Sequence, residues 1–360
     1  MNPKQRLCNT LKGVGGKILL VIVSCLGFLL IMEISLRFLT TGTIYLFESN
    51  PHYKDENGWF RLKPQNNTWW YGNRYEINSL GFRMNKNVGP KSTFRILAIG
   101  DSITLGMGVV RTQDVWPTKL EFLIKSSEVG PAEVINSGVQ GWNLLKFDNK
   151  GEVTPAEFTE FIEREGKNLK PDIIVYCICL NDIPSLVQDA FQVNNAQNKD
   201  RFSWFPEQYR EWFKRLAFYR LLRDIYREIR FRHLDLSSIS ASQRYPNYSS
   251  YLNAELQRLK STVESINAIL YCVIVPYSYQ LLEHNQDMLN INKTWQESLA
   301  NNKIPFTDIT GLMNEETVLK YYALGDYIHL NSRGHELIAQ EVLKLVQPTL
   351  SAINVRQKSK

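Results

Sequence analysis

The stretch Phe94-Arg95-Ile96-Leu97-Ala98-Ile99-Gly100-Asp101-Ser102-Ile103-Thr104-Leu105-Gly106 decides the reading of this chain. A short apolar run ends abruptly in Gly-Asp-Ser, and another glycine follows four residues after the serine. Such a run reads as a buried strand that hands Ser102 to a tight strand-to-loop turn. Gly100 permits the sharp backbone path, and the residues after Ser102 are free to start a helix whose N–H groups face the reacting centre. A serine hydroxyl is a weak nucleophile until a base activates it and donors receive the developing charge. Alone, the tripeptide also fits an ordinary surface turn.

The partners follow in the required order. Near the C-terminus the chain reads Gly325-Asp326-Tyr327-Ile328-His329-Leu330-Asn331. Three residues from Asp to His let one loop present both side chains, the carboxylate holding one ring nitrogen while the other faces the serine. Asn136-Ser137-Gly138 follows a strand-like run at 132–135, and Cys179-Leu180-Asn181-Asp182 follows a strongly apolar run at 172–178. In a parallel sheet these strand ends open onto one rim. The N–H groups of Ser102 and Gly138 and the amide of Asn181 are then the expected donors to an oxyanion.

In these four blocks the chain resembles the GDSL or SGNH hydrolases, over roughly residues 78–346. The resemblance implies Ser102 as nucleophile, Gly138 and Asn181 as oxyanion donors, His329 as base and Asp326 as its orienting acid. The run Ile77-Asn78-Ser79-Leu80-Gly81-Phe82-Arg83 resembles the lead-in of membrane-anchored bacterial members. Two positions depart from the pattern: Ile103 stands where the family has leucine, and Cys179 where a glycine is common. Neither removes a reacting group.

Other residues in these blocks have plainer readings. Asp101 is expected to cap or hydrogen-bond its turn, and Asp182 to brace the loop that carries Asn181. His335 reads as a helix-start residue and an alternative base. His52, His233 and His284 read as surface histidines. No His/Cys/Asp/Glu cluster has metal-ligand spacing, so neither metal nor cofactor is expected.

The first 40 residues differ in kind. Lys4, Arg6, Lys12 and Lys17 precede an uninterrupted apolar run at 18–32, after which Glu33 and Arg37 punctuate a weaker apolar tail. A helix over 18–39 is ~33 Å long at ~1.5 Å per residue, close to the ~30 Å hydrocarbon thickness. The preceding cations place the N-terminus in the cytoplasm and the rest of the chain outside. A cleaved signal peptide and a lipoprotein site at Ile22-Val23-Ser24-Cys25 are the alternatives. No small-x-small site follows the run, and the residues after Cys25 stay apolar. Cys177 and Cys179 share one face of a strand, so a disulfide framework is not expected.

A three-layer α/β/α fold with a parallel, flavodoxin-like sheet is expected for the remainder. Strands are placed at 95–99, 132–135, 173–178, 270–275 and 305–308, with helices at 115–126, 155–168 and 251–267. The domain organisation reads as 1–40 anchor, 41–90 β-rich lead-in, 91–350 hydrolase domain and 351–360 tail. The lead-in holds Trp59, Trp69, Trp70 and Tyr71, which either stack on sugar rings or cover the core. A helical insertion at about 200–235 interleaves Trp204, Phe205, Trp212, Tyr219 and Tyr226 with seven arginines between Arg210 and Arg232. It reads as a helix pair that buries its aromatics. A bilayer-interface element or a lid over the site are the alternatives.

The net charge of +6 from 42 basic and 36 acidic residues is modest, and no recognition motif points to nucleic acid. The expected function is a membrane-anchored, extracytoplasmic serine esterase acting on a carboxylic ester, whether an acylated glycan, a small ester or a lipid. Transfer of the acyl group to a polysaccharide hydroxyl uses the same residues. An idle anchored glycan-binding protein is the reading of a different class.

Overall fold

The structure, a computed structural model, describes residues 3–127, 129–147, 153–154, 157–182, 207–231, 248–282, 286–314 and 316–358. Trp204, Phe205, His233 and His284, singled out in the sequence, lie outside the described residues. The chain begins with helix α1 (Pro3–Thr41), whose part from Gly16 to Thr41 is long and apolar enough to cross a membrane. Its apolar side chains, Leu20, Phe28 and Ile31 among them, are exposed.

Two short antiparallel hairpins follow, β1 (His52–Lys54) with β2 (Phe60–Leu62) and β3 (Thr68–Trp70) with β4 (Asn73–Tyr75). Trp59 and Trp69 cover the molecule's own surfaces, while Tyr53 and Phe60 are exposed. Trp69 stacks on Tyr45 with centroids 4.3 Å apart, and Trp59 meets the buried Trp142 edge-on at 5.7 Å.

The apolar runs then form one five-stranded parallel sheet. Its strands are β5 (Phe94–Gly100), β6 (Ala132–Asn136), β7 (Ile173–Ile178), β8 (Ile269–Ile274) and β9 (Phe306–Asp308). The order β9-β8-β7-β5-β6 is the flavodoxin-like arrangement, with β7 central and β5 paired between β6 and β7. All six residues of β7 are buried, which a strand covered by helices on both faces requires.

Helices fill the crossovers. The short α2 (Ser102–Leu105) leaves β5, and α3 (Trp116–Ser126) links β5 to β6. The connection from β6 to β7 holds α4 (Glu157–Phe161), which runs through a π-helical segment at Ile162–Gly166 into Lys167–Leu169. The expected helix at 155–168 is thus wound unevenly, and residues 155–156 are outside the described set. Between β7 and β8 lie α5 (Glu207–Lys214), α6 (Ala217–Phe231) and α7 (Tyr248–Ser265). Helix α8 (Gln286–Asn301) precedes β9, and α9 (Ser332–Lys358) ends the described chain. Helix α9 packs on α3, while α7 packs on α4 and α8, giving a helical layer on each face.

Two buried side chains lock the frame around the rim. Arg83, fully buried, donates through Nη1 to Gly106 O (2.6 Å) and Leu105 O (3.2 Å). Its Nη2 donates to Arg74 O (2.6 Å) and Val109 O (2.9 Å). One guanidinium thereby ties β4 to the loop that follows Ser102, with the Tyr75 ring 4.5 Å from its centre. His335, also fully buried, accepts the Trp116 N–H at Nδ1 (3.0 Å), satisfying one orphan donor at the start of α3. Burial first, then the charges of Arg83 and Lys119, pushes its pKa down to about 3.

Two outcomes follow from these contacts. Arg83→Met removes four hydrogen bonds to backbone carbonyls, two of which, Gly106 O and Arg74 O, keep a second donor, and is expected to cost at least ~3 kcal/mol, read as a lower urea midpoint of the detergent-solubilised chain. Arg83→Lys restores little, because one ammonium cannot span the same carbonyls. For His335 the folded pKa lies below the unfolded one. The unfolded chain therefore binds a proton that the native state refuses, and stability falls as pH drops from about 6.5 towards 3. In His335→Gln that part of the acid sensitivity disappears, so a urea series at several pH values gives a flatter profile than wild type.

Candidate active site

The rim at the C-terminal ends of β5, β6 and β7 is where the sequence-predicted residues converge. Parallel register sets Ala98 beside Asn136 and Gly100 beside Cys177, so the chain leaves the three strands at neighbouring points. Asp101 caps α2 by accepting the Ile103 N–H at 2.8 Å, as its residue type predicts. Its other oxygen receives Asn181 Nδ2 at 2.6 Å and lies 3.3 Å from Ser102 Oγ. This second bond was not legible locally, since it joins residues eighty positions apart.

Ser102, His329 and Asp326 stand in one hydrogen-bonded line. His329 Nε2 lies 3.0 Å from Ser102 Oγ, and Nδ1 lies 2.7 Å from Asp326 Oδ2. The carboxylate can only accept, so Nδ1 carries the proton and Nε2 is left to receive the serine O–H. Asp326 Oδ1 also accepts the N–H groups of Ile328 and His329, both at 3.0 Å. Burial alone would raise the Asp326 pKa, but the His329 charge and these bonds outweigh it and hold the carboxyl down at about 2. Burial lowers the His329 pKa, and the Asp326 carboxylate more than reverses it, so the imidazole is raised above its ordinary value.

Glycine holds this loop in place. Gly325, with φ of 66°, packs so closely on α6 that a Cβ there would sit 2.3 Å from Asp224 O. Beside the loop is a cavity of about 440 Å³ lined by Gly108, Glu228, Leu319, Tyr322, Ala323 and Leu324, with Asn331.

The expected oxyanion donors divide. Asn181 is half-buried at the rim, its Oδ1 2.7 Å from Cys179 Sγ. One of its two amide hydrogens is aimed at Asp101, and the other has no partner among the described residues. Asp182 braces this loop by accepting the N–H groups of Cys179 (2.8 Å) and Leu144 (3.2 Å). Burial, reinforced by the nearby Asp101, pushes its pKa up to about 8.

Gly138 behaves differently from its expected role. Its N–H donates to Asn136 Oδ1 at 3.1 Å, and a Cβ at this residue would lie 2.2 Å from Leu105 N. Close packing against α2 accounts for the glycine, and its donor is already engaged. Gly141, the other glycine of the loop, is exposed at φ of 78° with no atom within 4 Å of a Cβ position. His335, the alternative base, is turned towards α3 and bonded to Trp116. Arg83, which braces the loop after the serine, had been visible only as the last residue of a family-like run.

Among the described residues, no group of three or more His, Cys, Asp or Glu side chains is arranged to hold a metal ion. Residues 96–342 match the family model of GDSL-like lipases and acylhydrolases. Similar solved structures include a catalytic mutant of an acetylxylan esterase from Geobacillus stearothermophilus. It is 14% identical, with 71% of this chain and 95% of that one covered and a TM-score of 0.43. A lipase from a goat rumen metagenome is 12% identical over 70% of this chain and 97% of that one, with a TM-score of 0.46. A carbohydrate acetylesterase family member from Sinorhizobium meliloti is 13% identical over 72% and 100%, with a TM-score of 0.42. No curated protein matches the chain. The match over residues 96–342 places the chain in the GDSL-like lipase/acylhydrolase family, the SGNH serine hydrolases that act on esters.

Proposed function

We propose that the protein is a membrane-anchored serine esterase, facing out of the cytoplasm, that cleaves a carboxylic ester through an acyl-enzyme on Ser102. The observation that carries this reading is the hydrogen-bonded line from Ser102 Oγ through His329 to Asp326. His329 Nε2 takes the hydroxyl proton as Oγ attacks the ester carbonyl. The negative oxygen of the tetrahedral intermediate is received by the Ser102 N–H, at the start of α2, and by the free hydrogen of the Asn181 amide. Collapse breaks the ester C–O bond, and the leaving alcohol takes its proton from the imidazolium. Water, deprotonated by the same imidazole, then releases the acid and restores Ser102. Gly138 contributes to the oxyanion site only if its N–H is released from Asn136.

The location rests on α1. Its exposed apolar stretch suits a bilayer, and Lys4, Arg6, Lys12 and Lys17 on its N-terminal side favour a cytoplasmic N-terminus.

The full chain in detergent is expected to hydrolyse short p-nitrophenyl esters and to be labelled on Ser102 by a fluorophosphonate. A labelled peptide lacking Ser102, or no labelling of active protein, would remove the acyl-enzyme. Asn181→Ala is expected to lower kcat at least ~100-fold, the loss typical of a deleted oxyanion donor. Because His329 must be neutral to accept the proton, kcat/KM falls on the acid side through a pKa above the usual histidine value. Asp326→Asn removes the carboxylate that raises it. The acid limb should then shift to lower pH while turnover drops by ~10³–10⁴-fold.

A further inference from the structure

Helix α6 is amphipathic the wrong way round for a helix bathed in water. Its polar side faces the protein. Arg220 donates to Glu48 Oε1 (2.8 Å) and Tyr45 Oη (2.6 Å), and both partners are buried. On the same side the backbone of Asp224 abuts Gly325, whose N–H donates to Glu228 Oε2 (3.3 Å). The outward side carries Leu222, Ile225, Tyr226 and Ile229, spaced three and four residues apart and 51%, 40%, 56% and 58% exposed. Those intervals lie on one stripe of a helix. Trp212 of α5, just before α6, is 56% exposed as well. The sequence predicts a helix pair that buries its aromatics; Phe218 and Tyr219 are half-buried, but Trp212 and Tyr226 are exposed.

What adjoins the stripe is the outer end of α1. Glu33, near the end of the apolar stretch of α1, accepts the first two N–H groups of α6, from Ala217 at 2.8 Å and Phe218 at 3.1 Å. Arg37, one turn further, bonds Glu33 at 2.7 Å and donates to Arg215 O at 3.2 Å. The first turn of α6 is therefore pinned where α1 would leave the hydrocarbon. Arg215, in the turn before α6, and Arg227, on the helix itself, are exposed, the charge sign that suits anionic headgroups.

We infer that α5 and α6 lie in the outer membrane–water interface, with Trp212, Leu222, Ile225, Tyr226 and Ile229 sunk among the lipids. The inference rests on α1 crossing the bilayer. It follows that the helix touching the membrane is also the one against which the Asp326 loop packs, through Gly325. An amphipathic helix with an apolar face and basic flanks binds in the interface plane through the area it buries and through headgroup charge. Here the covalent tether keeps it there.

Probe accessibility in the full chain, reconstituted into phosphatidylcholine–phosphatidylglycerol vesicles, tests this. An environment-sensitive fluorophore is placed at Ile225→Cys in a Cys8→Ser, Cys25→Ser background, with Tyr226→Cys as a second site. Cys177, Cys179 and Cys272 are buried and stay unlabelled in the folded protein. In a separate Cys8→Ser chain the native Cys25, exposed on α1, reports the anchor, and Glu264→Cys on α7, in the same background as Ile225→Cys, reports a water-facing helix. Brominated lipid is expected to quench the Ile225 and Tyr226 probes severalfold more than the Glu264 probe, and iodide severalfold less. If iodide reaches Ile225 as readily as Glu264 while lipid quenches Cys25, the anchor holds and the interfacial helix is refuted. Shielding of Ile225 from both quenchers refutes it too, since another protein surface then covers the stripe. A Cys25 probe untouched by brominated lipid removes the anchor, and this inference with it.

Discussion

The pairing of β5 with a parallel neighbour on each side is the constraint on which everything else rests. Parallel strands release their chains at the same edge, so the segments after Gly100, Asn136 and Ile178 meet although they are far apart in sequence. Ser102 is carried there by the β5 turn and Asn181 by the β7 turn. The Asp101 carboxylate then links the two by capping α2 with one oxygen and holding Asn181 with the other. A polar group placed between two strand ends fixes their relative position more tightly than apolar packing, because its bonds are directional.

Outside the sheet, buried charge with backbone partners holds the rim together. Arg83 reaches carbonyls on both β4 and the loop after Ser102, and no single ammonium could satisfy such a spread of acceptors. A buried guanidinium is costly to desolvate, and its several hydrogen bonds offset that cost only while all of its acceptors stay in place. The lead-in hairpins and the nucleophile turn are therefore coupled mechanically. The same reasoning applies to the half-buried Asp326, whose several donors keep it ionised and so keep His329 oriented.

Much of the fold was legible because buried parallel strands are continuous apolar runs. The run at 173–178 coincides with β7, and the expected strands at 95–99 and 132–135 fall within a residue of β5 and β6. Helix α8 was not anticipated. Its buried Ile291, Trp295 and Leu299 form a narrow stripe among several asparagines, which weaken the helical signal. The π-helical segment after α4 has no sequence signature of comparable strength. At the site, Asp326 and His329 were legible as a pair because three residues of one loop suffice to bring them together.

The sequence by itself determined the alternation of strands and helices, the turn that carries Ser102 and the Asp-x-x-His spacing. Each of these depends on neighbours a few residues away. Only the tertiary structure decided that the Gly138 N–H goes to Asn136, that Asn181 leans on Asp101, and that Arg83 clamps the loop after the serine. It also decided which face of α6 turns inward. Periodicity shows that a helix has two faces, but the inner one is chosen by partners such as Glu48 and Gly325, which lie far off along the chain. Glu48 needed a charge opposite it and Gly325 left room for a close backbone approach, so the polar side of α6 was drawn in and its apolar side left outward.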